Sequence, residues 1–227
     1  MHGQTSEFDP PIRAAAAVIL LRGKGEDAAV LMGQRGHAAA FMPSKFVFPG
    51  GAVEAGDAGV ALRRSLSARC AARLAAPGGP APQALAVAAI RELFEETGLA
   101  LGESAVWPGL VPEGWREFAG RGLCPDAAGL QFVFRAITPP GRSRRFDARF
   151  FLADATGVAG DIDDFSAASD ELSHLHWIAL DRVRTLDLPF ITEVVLAEVR
   201  ALLRVGTVAA GVPFFDNSGT VPRFCRL

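Results

Sequence analysis

One nine-residue segment, Arg91 to Leu99, constrains the fold of this chain more than any other. It reads Arg-Glu-Leu-Phe-Glu-Glu-Thr-Gly-Leu. In an α-helix with about 3.6 residues per turn, Glu92, Glu95 and Glu96 fall on one face. Like charges at this spacing repel each other unless a cation lies among them, and a hard divalent ion prefers oxygen ligands. The segment predicts a metal-binding helix, although glutamate-rich faces also occur simply as solvated helix surface.

A pair of glycines precedes this segment at the end of a β-branched and aromatic run. Phe46-Val47-Phe48 is followed by Pro49-Gly50-Gly51, a pattern that predicts a strand ending in a tight turn. Glycine also lets a backbone approach a ligand closely, because it has no Cβ. An acidic loop that contains Asp57 comes next.

Together the two segments resemble the Nudix box: a glycine, five residues, a glutamate, seven residues and a closing nonapeptide. Gly51 fits the opening glycine, and residues 91–99 fit the nonapeptide at every position. Asp57 stands where the pattern has glutamate. Between Asp57 and Arg91 lie 33 residues, an insertion of 26 relative to the pattern. A surface insertion of this kind costs little loop-closure entropy, so it is compatible with the pattern. By this resemblance the chain is identified as a member of the Nudix superfamily.

The interrupted box narrows the resemblance further. Three features are similar to one Nudix subgroup. They are the interruption of the box at this place, the segment Ala40-Phe41-Met42-Pro43 before the strand, and the run at residues 138–151. That subgroup includes the mammalian peroxisomal coenzyme A diphosphatase. The run here reads Thr-Pro-Pro-Gly-Arg-Ser-Arg-Arg-Phe-Asp-Ala-Arg-Phe-Phe. The similarity covers roughly residues 11–205 and implies an α/β fold, the Nudix-type α/β/α sandwich with a mixed central sheet.

The resemblance implies a set of metal ligands on the predicted helix. Glu92, Glu95 and Glu96 would hold Mg²⁺ or Mn²⁺, and the carbonyl of Gly51 would add another oxygen. Such an ion neutralises a diphosphate and lowers the pKa of a bound water. Phosphoryl transfer needs mainly positioning and charge neutralisation, so no covalent nucleophile is required.

Other catalytic residues follow from the same resemblance. Arg91 would pair with Asp57 and thereby join the loop to the helix. The general base is either a box glutamate or a carboxylate on a later loop. Among the later carboxylates, Asp170 and Glu171 are the best placed along the chain, although solvated loop acids would look the same.

Arginines of the later run are the candidate substrate anchors, because a guanidinium binds phosphate oxygens in bidentate fashion. The alternative is ion pairing with the acidic loop at 161–164. The candidates are Arg142, Arg144, Arg145 and Arg149.

The resemblance implies metal-dependent hydrolysis of a diphosphate bond in a nucleoside diphosphate derivative. Coenzyme A or an acyl-coenzyme A is the leading substrate. A diphosphatase of ADP-ribose or dinucleotides is an alternative. A non-catalytic Nudix module that binds a nucleotide is another, although the intact set of box glutamates argues against it.

Composition predicts an ordinary globular protein. Of 227 residues, half are hydrophobic and 21% are charged, and the net charge of −2 gives no basic footprint for nucleic acid. The three cysteines are far apart and suggest neither a disulfide framework nor a zinc site. No apolar run is long enough for a membrane span, so we expect a cytoplasmic protein. Dimerisation is common in the family, so a homodimer is an option.

The residue patterns alternate between strands and helices within one expected domain, residues 1–227, which carries the insertion at about 58–83. We expect strands at 14–22, 28–35, 46–48, 130–136, 145–152 and 175–180, and helices at 60–74, 83–97 and 191–205.

Overall fold

The computed structural model describes residues 9–205 and 211–227. Within these residues there are twelve strands and four α-helices. The strands are β1 (Ile12–Arg22), β2 (Ala29–Arg35), β3 (Phe46–Val47), β4 (Gly50–Ala52), β5 (Ala100–Ser104), β6 (Leu123–Pro125), β7 (Gln131–Ile137), β8 (Arg145–Asp154), β9 (Val158–Ala159), β10 (Leu172–Ala179), β11 (Pro213–Asp216) and β12 (Arg223–Arg226). The helices are α1 (Ala68–Leu74), α2 (Pro82–Thr97), α3 (Arg116–Gly120) and α4 (Phe190–Val205).

The main sheet has nine strands and is mixed. Its order is β10-β2-β1-β8-β7-β11-β12, while β3 pairs with β2 and β4 pairs with β1. Strands β1 and β8 run parallel over ten residue pairs, from Ile12–Arg145 to Leu21–Asp154, whereas β7 and β8 are antiparallel. A smaller sheet contains β6, β5 and β9.

Helices cover both faces of the main sheet. Alternating residues of β1 point to opposite faces, so Val18 and Leu20 pack with α2, whereas Ile19 and Leu21 pack with α4. The predicted α/β/α sandwich with a mixed sheet is therefore confirmed. None of the helices within the described residues is long and apolar enough to cross a bilayer.

The insertion differs from its prediction. The helix expected over 60–74 is limited to α1, whose first turn is capped by Ser67 accepting a hydrogen bond from the Cys70 amide at 3.2 Å. The preceding residues are irregular because their backbone bonds to other loops: Arg63 N donates to the carbonyl of Pro125 at 2.8 Å.

The glycine pair also differs from its prediction. Gly50 and Gly51 do not form a tight turn but lie in β4, opposite Ala17 and Ala16 of β1. Glycine is required here by close packing: a Cβ on Gly50 would lie 2.5 Å from the carbonyl oxygen of Ala16. This pairing holds the glycines beside the centre of the sheet.

Candidate active site

Helix α2 carries the box residues into the protein. Proline occupies its first position, where no amide hydrogen is needed, and Gly98 ends it with φ 77°. Buried Ile90, Leu93 and Phe94 fix the helix against the sheet. Its charged residues are buried to different extents, and Glu96 is only 2% exposed. Buried charges need partners, so the contacts of these side chains define the site.

Arg91 joins the acidic loop to the helix, as the sequence predicted. Its Nε donates to Asp57 Oδ1 at 3.0 Å and its Nη2 donates to the carbonyl of Ala52, also at 3.0 Å. The Asp57 carboxylate is 2% exposed and also accepts from the Glu54 amide at 2.7 Å. Aspartate thus completes the contact despite its shorter side chain and the insertion that follows it.

The same guanidinium bonds two box carboxylates. Arg91 Nη1 donates to Glu92 Oε1 at 2.9 Å and to Glu95 Oε2 at 3.0 Å. Burial alone lowers the pKa of Arg91, but the hydrogen bond to Asp57 and the surrounding carboxylates outweigh burial and raise it. Arg91 therefore stays charged and balances part of the negative charge around it.

Glu92 and Glu96 lie against β4, the glycine strand, which contains Gly50 and Gly51. The Gly50 amide donates to Glu96 Oε2 at 2.8 Å, and a Cβ on Gly51 would lie 2.3 Å from Glu92 Oε1. Burial raises the pKa of Glu92 to about 7 and that of Glu96 to about 8. Repulsion between the two carboxylates adds to the rise at Glu96. Glycine at position 51 leaves room for the Glu92 carboxylate where it lies.

The donor set of this pair suits a divalent cation. Oxygen ligands are those that Mg²⁺ and Mn²⁺ prefer, and a cation would compensate the buried negative charge whose desolvation raises both pKa values. Glu95 differs in its exposure: its side chain is 43% exposed, although it bonds the same Arg91 nitrogen as Glu92. Within the described ranges no three acidic, histidine or cysteine side chains already form a metal-binding group. The part of Gly51 as a ligand stays a prediction.

Glu171 belongs to the same acidic cluster. It lies just before β10, exposed to solvent, and its charge raises the pKa of both Glu92 and Glu96. Asp170 is exposed in the preceding turn. The structure therefore brings Glu171 near the box carboxylates, while its role as general base stays a prediction.

The arginines of the later run divide into two groups. Arg142 and Arg144 are exposed in the loop between β7 and β8, where they can meet a ligand. Arg145 is buried and donates to the carbonyls of Thr138, Asn217 and Ser218 and to the carboxylate of Asp9. The interpretation of Arg145 as a substrate anchor is corrected by these bonds, which occupy its guanidinium.

Arg149 is buried as well and pairs with Asp147 at 2.9 Å. The alternative partner for these arginines, the acidic loop at 161–164, instead supplies Asp163 to Arg22 at 2.8 Å. Neither interpretation of Arg149 therefore matches its contacts.

Two residues near the carboxylates were missing from the sequence prediction. The charge of Glu54 raises the pKa of Glu95, and the charge of Arg35 lowers that of Glu96. The sequence did carry a signal for Arg35, because a lone cation ends strand β2, which begins with four apolar residues.

Comparison with known proteins defines the class. No family model matches the chain. A NUDIX hydrolase from Alicyclobacillus acidocaldarius has 27% sequence identity and a TM-score of 0.65, covering 88% of this chain and 98% of that one. The chain therefore has the Nudix hydrolase fold and carries the residues of the Nudix box.

In sequence, the chain is similar to a diphosphatase. The acyl-coenzyme A diphosphatase NUDT19 of Gallus gallus is 31% identical over an alignment that covers 62% of this chain and 54% of that protein. The chain thus spans about half the length of this curated relative.

Proposed function

We propose that this protein hydrolyses the diphosphate bond of a nucleoside diphosphate derivative, most specifically coenzyme A or an acyl-coenzyme A. The observation that carries the proposal is the buried pair Glu92 and Glu96 against the glycine strand, with Glu171 nearby. Buried carboxylates whose pKa values are raised by desolvation and mutual repulsion are typical of functional sites.

Mg²⁺ or Mn²⁺ is the proposed cofactor, held by Glu92 and Glu96. When bound, such an ion neutralises the diphosphate and makes a coordinated water more acidic. Arg91 keeps the loop and helix joined, and the Gly50 amide orients the Glu96 carboxylate. Glu95, the third ligand expected from the sequence, bonds Arg91 through Oε2 and has its other carboxylate oxygen available for a metal.

Glu171 is the proposed general base. Its carboxylate accepts a proton from the attacking water, whose oxygen forms a bond to one phosphorus while the P–O bond to the bridging oxygen breaks. Two phosphomonoesters result, which for coenzyme A are 3′,5′-ADP and 4′-phosphopantetheine. Exposure of Glu171 lets the proton pass on to solvent.

The choice of substrate is supported by the similarity to the chicken acyl-coenzyme A diphosphatase. Arg142 and Arg144 are exposed on one loop and are the proposed anchors for phosphate. The second proposal, hydrolysis of ADP-ribose or a dinucleotide, uses the same carboxylates and differs only in these outer contacts.

The test is a substrate screen with Mg²⁺ and Mn²⁺, in which the two phosphomonoester products are separated by chromatography. Coenzyme A, acetyl-coenzyme A, ADP-ribose and NADH are compared for wild type, Glu96→Gln and a control, Glu117→Gln on the exposed face of α3. We expect turnover of coenzyme A compounds that falls at least about a hundredfold in Glu96→Gln and not in the control.

Turnover of ADP-ribose alone would replace the coenzyme A proposal with the second one. Metal-dependent binding of these compounds without turnover in any sample would instead support the non-catalytic module.

A further inference from the structure

Arg35 is fixed at the end of β2, next to the acidic cluster. Its backbone amide donates to the carbonyl of Lys45 at 3.0 Å, and its carbonyl accepts from the Ser44 amide at 3.0 Å. On the other side it pairs with Leu172 of β10. The position of its Cα is thus determined by two neighbouring segments, residues 44–45 and β10.

The side chain of Arg35 lacks the partners that its surroundings would demand. Its Nε is buried and has no hydrogen-bond partner. Among the described residues, every other buried side-chain nitrogen or oxygen atom has one. A buried donor that has lost water and gained nothing in exchange is unfavourable. Such orphaned groups need an explanation, and a bound ligand is one.

The surroundings of Arg35 specify an anionic ligand. Its charge acts on Glu96, yet the two groups form no ion pair, since their nitrogen and oxygen atoms lie beyond pairing distance in the described structure. Leu172, which pairs with Arg35, directly follows Glu171, and Glu92 and Glu171 both act on Glu96, so the guanidinium is a cation at the edge of an acidic cluster. A ligand that contacts both this guanidinium and a metal ion held by the carboxylates must be an anion such as a phosphate.

Strained backbone surrounds Arg35 as well. Met42, Ser44 and His174 are the non-glycine residues with positive φ in the described part of the chain, at 51°, 61° and 52°. Ser44 bonds Arg35 directly, and His174 follows Leu172 by two positions at a register shift in β10. Strain of this kind is retained where the local geometry matters.

The loop that follows Arg35 also reaches the exposed arginines. Ser143 Oγ donates to the carbonyl of Ala40 at 3.0 Å, so the loop carrying Arg142 and Arg144 lies against the loop that begins after β2. Arg35 and the exposed arginines therefore lie on neighbouring segments that contact each other.

We propose that Arg35 is a further catalytic residue, whose guanidinium binds a phosphoryl group of the substrate diphosphate beside Glu92 and Glu96. Nε and one terminal nitrogen form the fork that matches two phosphate oxygens. This inference rests on the proposed function, because it assigns a contact to the same substrate.

The test measures binding of methylenediphosphonate, a diphosphate that cannot be hydrolysed, in the presence of Mg²⁺ by calorimetry. The variants are Arg35→Met, Arg35→Lys and the matched control Arg22→Met, an arginine that ends β1 and pairs with Asp163. We expect the Kd to rise at least about tenfold in Arg35→Met, less in Arg35→Lys, and not in Arg22→Met.

A structural role for Arg35 would have a different result. Removing an unpaired buried donor leaves the melting temperature of Arg35→Met near that of wild type, so a large fall in melting temperature with unchanged Kd would overturn the inference. An unchanged Kd alone, or no binding by wild type, would overturn it too.

Activity assays separate this inference from the proposed function. If wild type turns over coenzyme A and Arg35→Met retains its KM and kcat, the function stands and the role of Arg35 fails. If no diphosphate is turned over but Arg35→Met loses methylenediphosphonate affinity, the role of Arg35 stands as a binding contact and the hydrolase proposal fails.

Discussion

At the scale of residues, one buried cation compensates the negative charge of the Nudix box. Arg91 contacts Asp57, Glu92 and Glu95, and its own side chain is 8% exposed. Removing one partner of a buried pair costs more than the pair itself contributes, because the other charge is left without compensation. The first prediction follows from this asymmetry.

We expect Arg91→Met to lower the free energy of unfolding by about 3–5 kcal/mol, because Asp57 would remain buried and unpaired. Urea denaturation measures the loss. Arg22→Met removes a half-exposed pair and should lose no more than about 1 kcal/mol. Similar small losses in both variants would show that Arg91 does not hold the loop to the helix.

The carboxylate pair predicts an unusual dependence of stability on pH. The folded protein raises the pKa of Glu92 to about 7 and of Glu96 to about 8, above the ordinary 4.5 of an unfolded chain. Within this window the folded state binds more protons, so rising pH favours unfolding. Stability from this pair is present below about pH 4.5 and is lost by about pH 8.

We therefore expect the melting temperature of chelator-treated protein to fall between about pH 5 and about pH 8. The fall should be smaller in Glu96→Gln, which lacks one of the two titrating groups. Adding Mn²⁺ at about pH 8 should restore the melting temperature of wild type, because a cation compensates both charges. Parallel curves for the two proteins would contradict this account.

At the scale of elements, the insertion is part of the core. Leu66, Cys70 and Leu74 are buried in the same cluster as α2, and Gln83 Nε2 donates to the carbonyl of Val60 at 2.8 Å. An inert excursion would leave its apolar side chains in solvent. The insertion therefore contributes to the stability of the helix that carries the box.

Leu74→Ala should accordingly cost about 2–5 kcal/mol in denaturant unfolding, since Leu74 is 3% exposed and its loss leaves a cavity. Arg69→Ala, on the exposed side of α1, should stay within about 0.5 kcal/mol of wild type. A loss below 1 kcal/mol in Leu74→Ala would mean that the insertion adds little to the core.

Local patterns predicted the elements whose signals are local. The apolar run of β1, proline and glycine at the ends of α2, and the period of α4 all mark their own boundaries. Residues 60–67 carried a helical pattern too, but their amides bond to loops far along the chain, as Arg63 does with Pro125. Such partners are absent from any local window.

The candidate site shows the same division. The contact between Arg91 and Asp57 followed from the box pattern, whereas the burial of Arg145 depends on Asp9 and Ser218, at opposite ends of the chain. A pattern of neighbouring arginines cannot tell a guanidinium that bonds carbonyls from one that is free for a ligand.

At the scale of the whole molecule, the candidate site lies at one end of the main sheet. The starts of β1 and β8 lie side by side, whereas antiparallel β2 pairs with the far end of β1 and ends with Arg35 opposite Leu172 of β10. The loops after β2 and between β7 and β8 therefore meet at that end. Substrate specificity is expected to depend on these loops, and the chemistry on α2.

Arg145 connects this end of the molecule to both chain termini. Its Nη1 pairs with Asp9 at 3.1 Å, and its Nη2 donates to the carbonyl of Ser218 at 2.9 Å. A further bond at 3.1 Å reaches the carbonyl of Thr138, which precedes the loop of Arg142 and Arg144. Its contribution should therefore appear in stability and not in substrate affinity.

We expect Arg145→Met to lose about 2–3 kcal/mol in the free energy of unfolding, because buried carbonyls lose a charged donor. Its KM for coenzyme A should remain near the wild-type value at a temperature where the variant is folded. The matched variant Arg144→Met, one residue earlier and exposed, should be as stable as wild type and raise that KM instead. Urea denaturation and initial-rate kinetics on both proteins measure the difference. A raised KM with full stability in Arg145→Met would show that Arg145 contacts the substrate, as the sequence predicted.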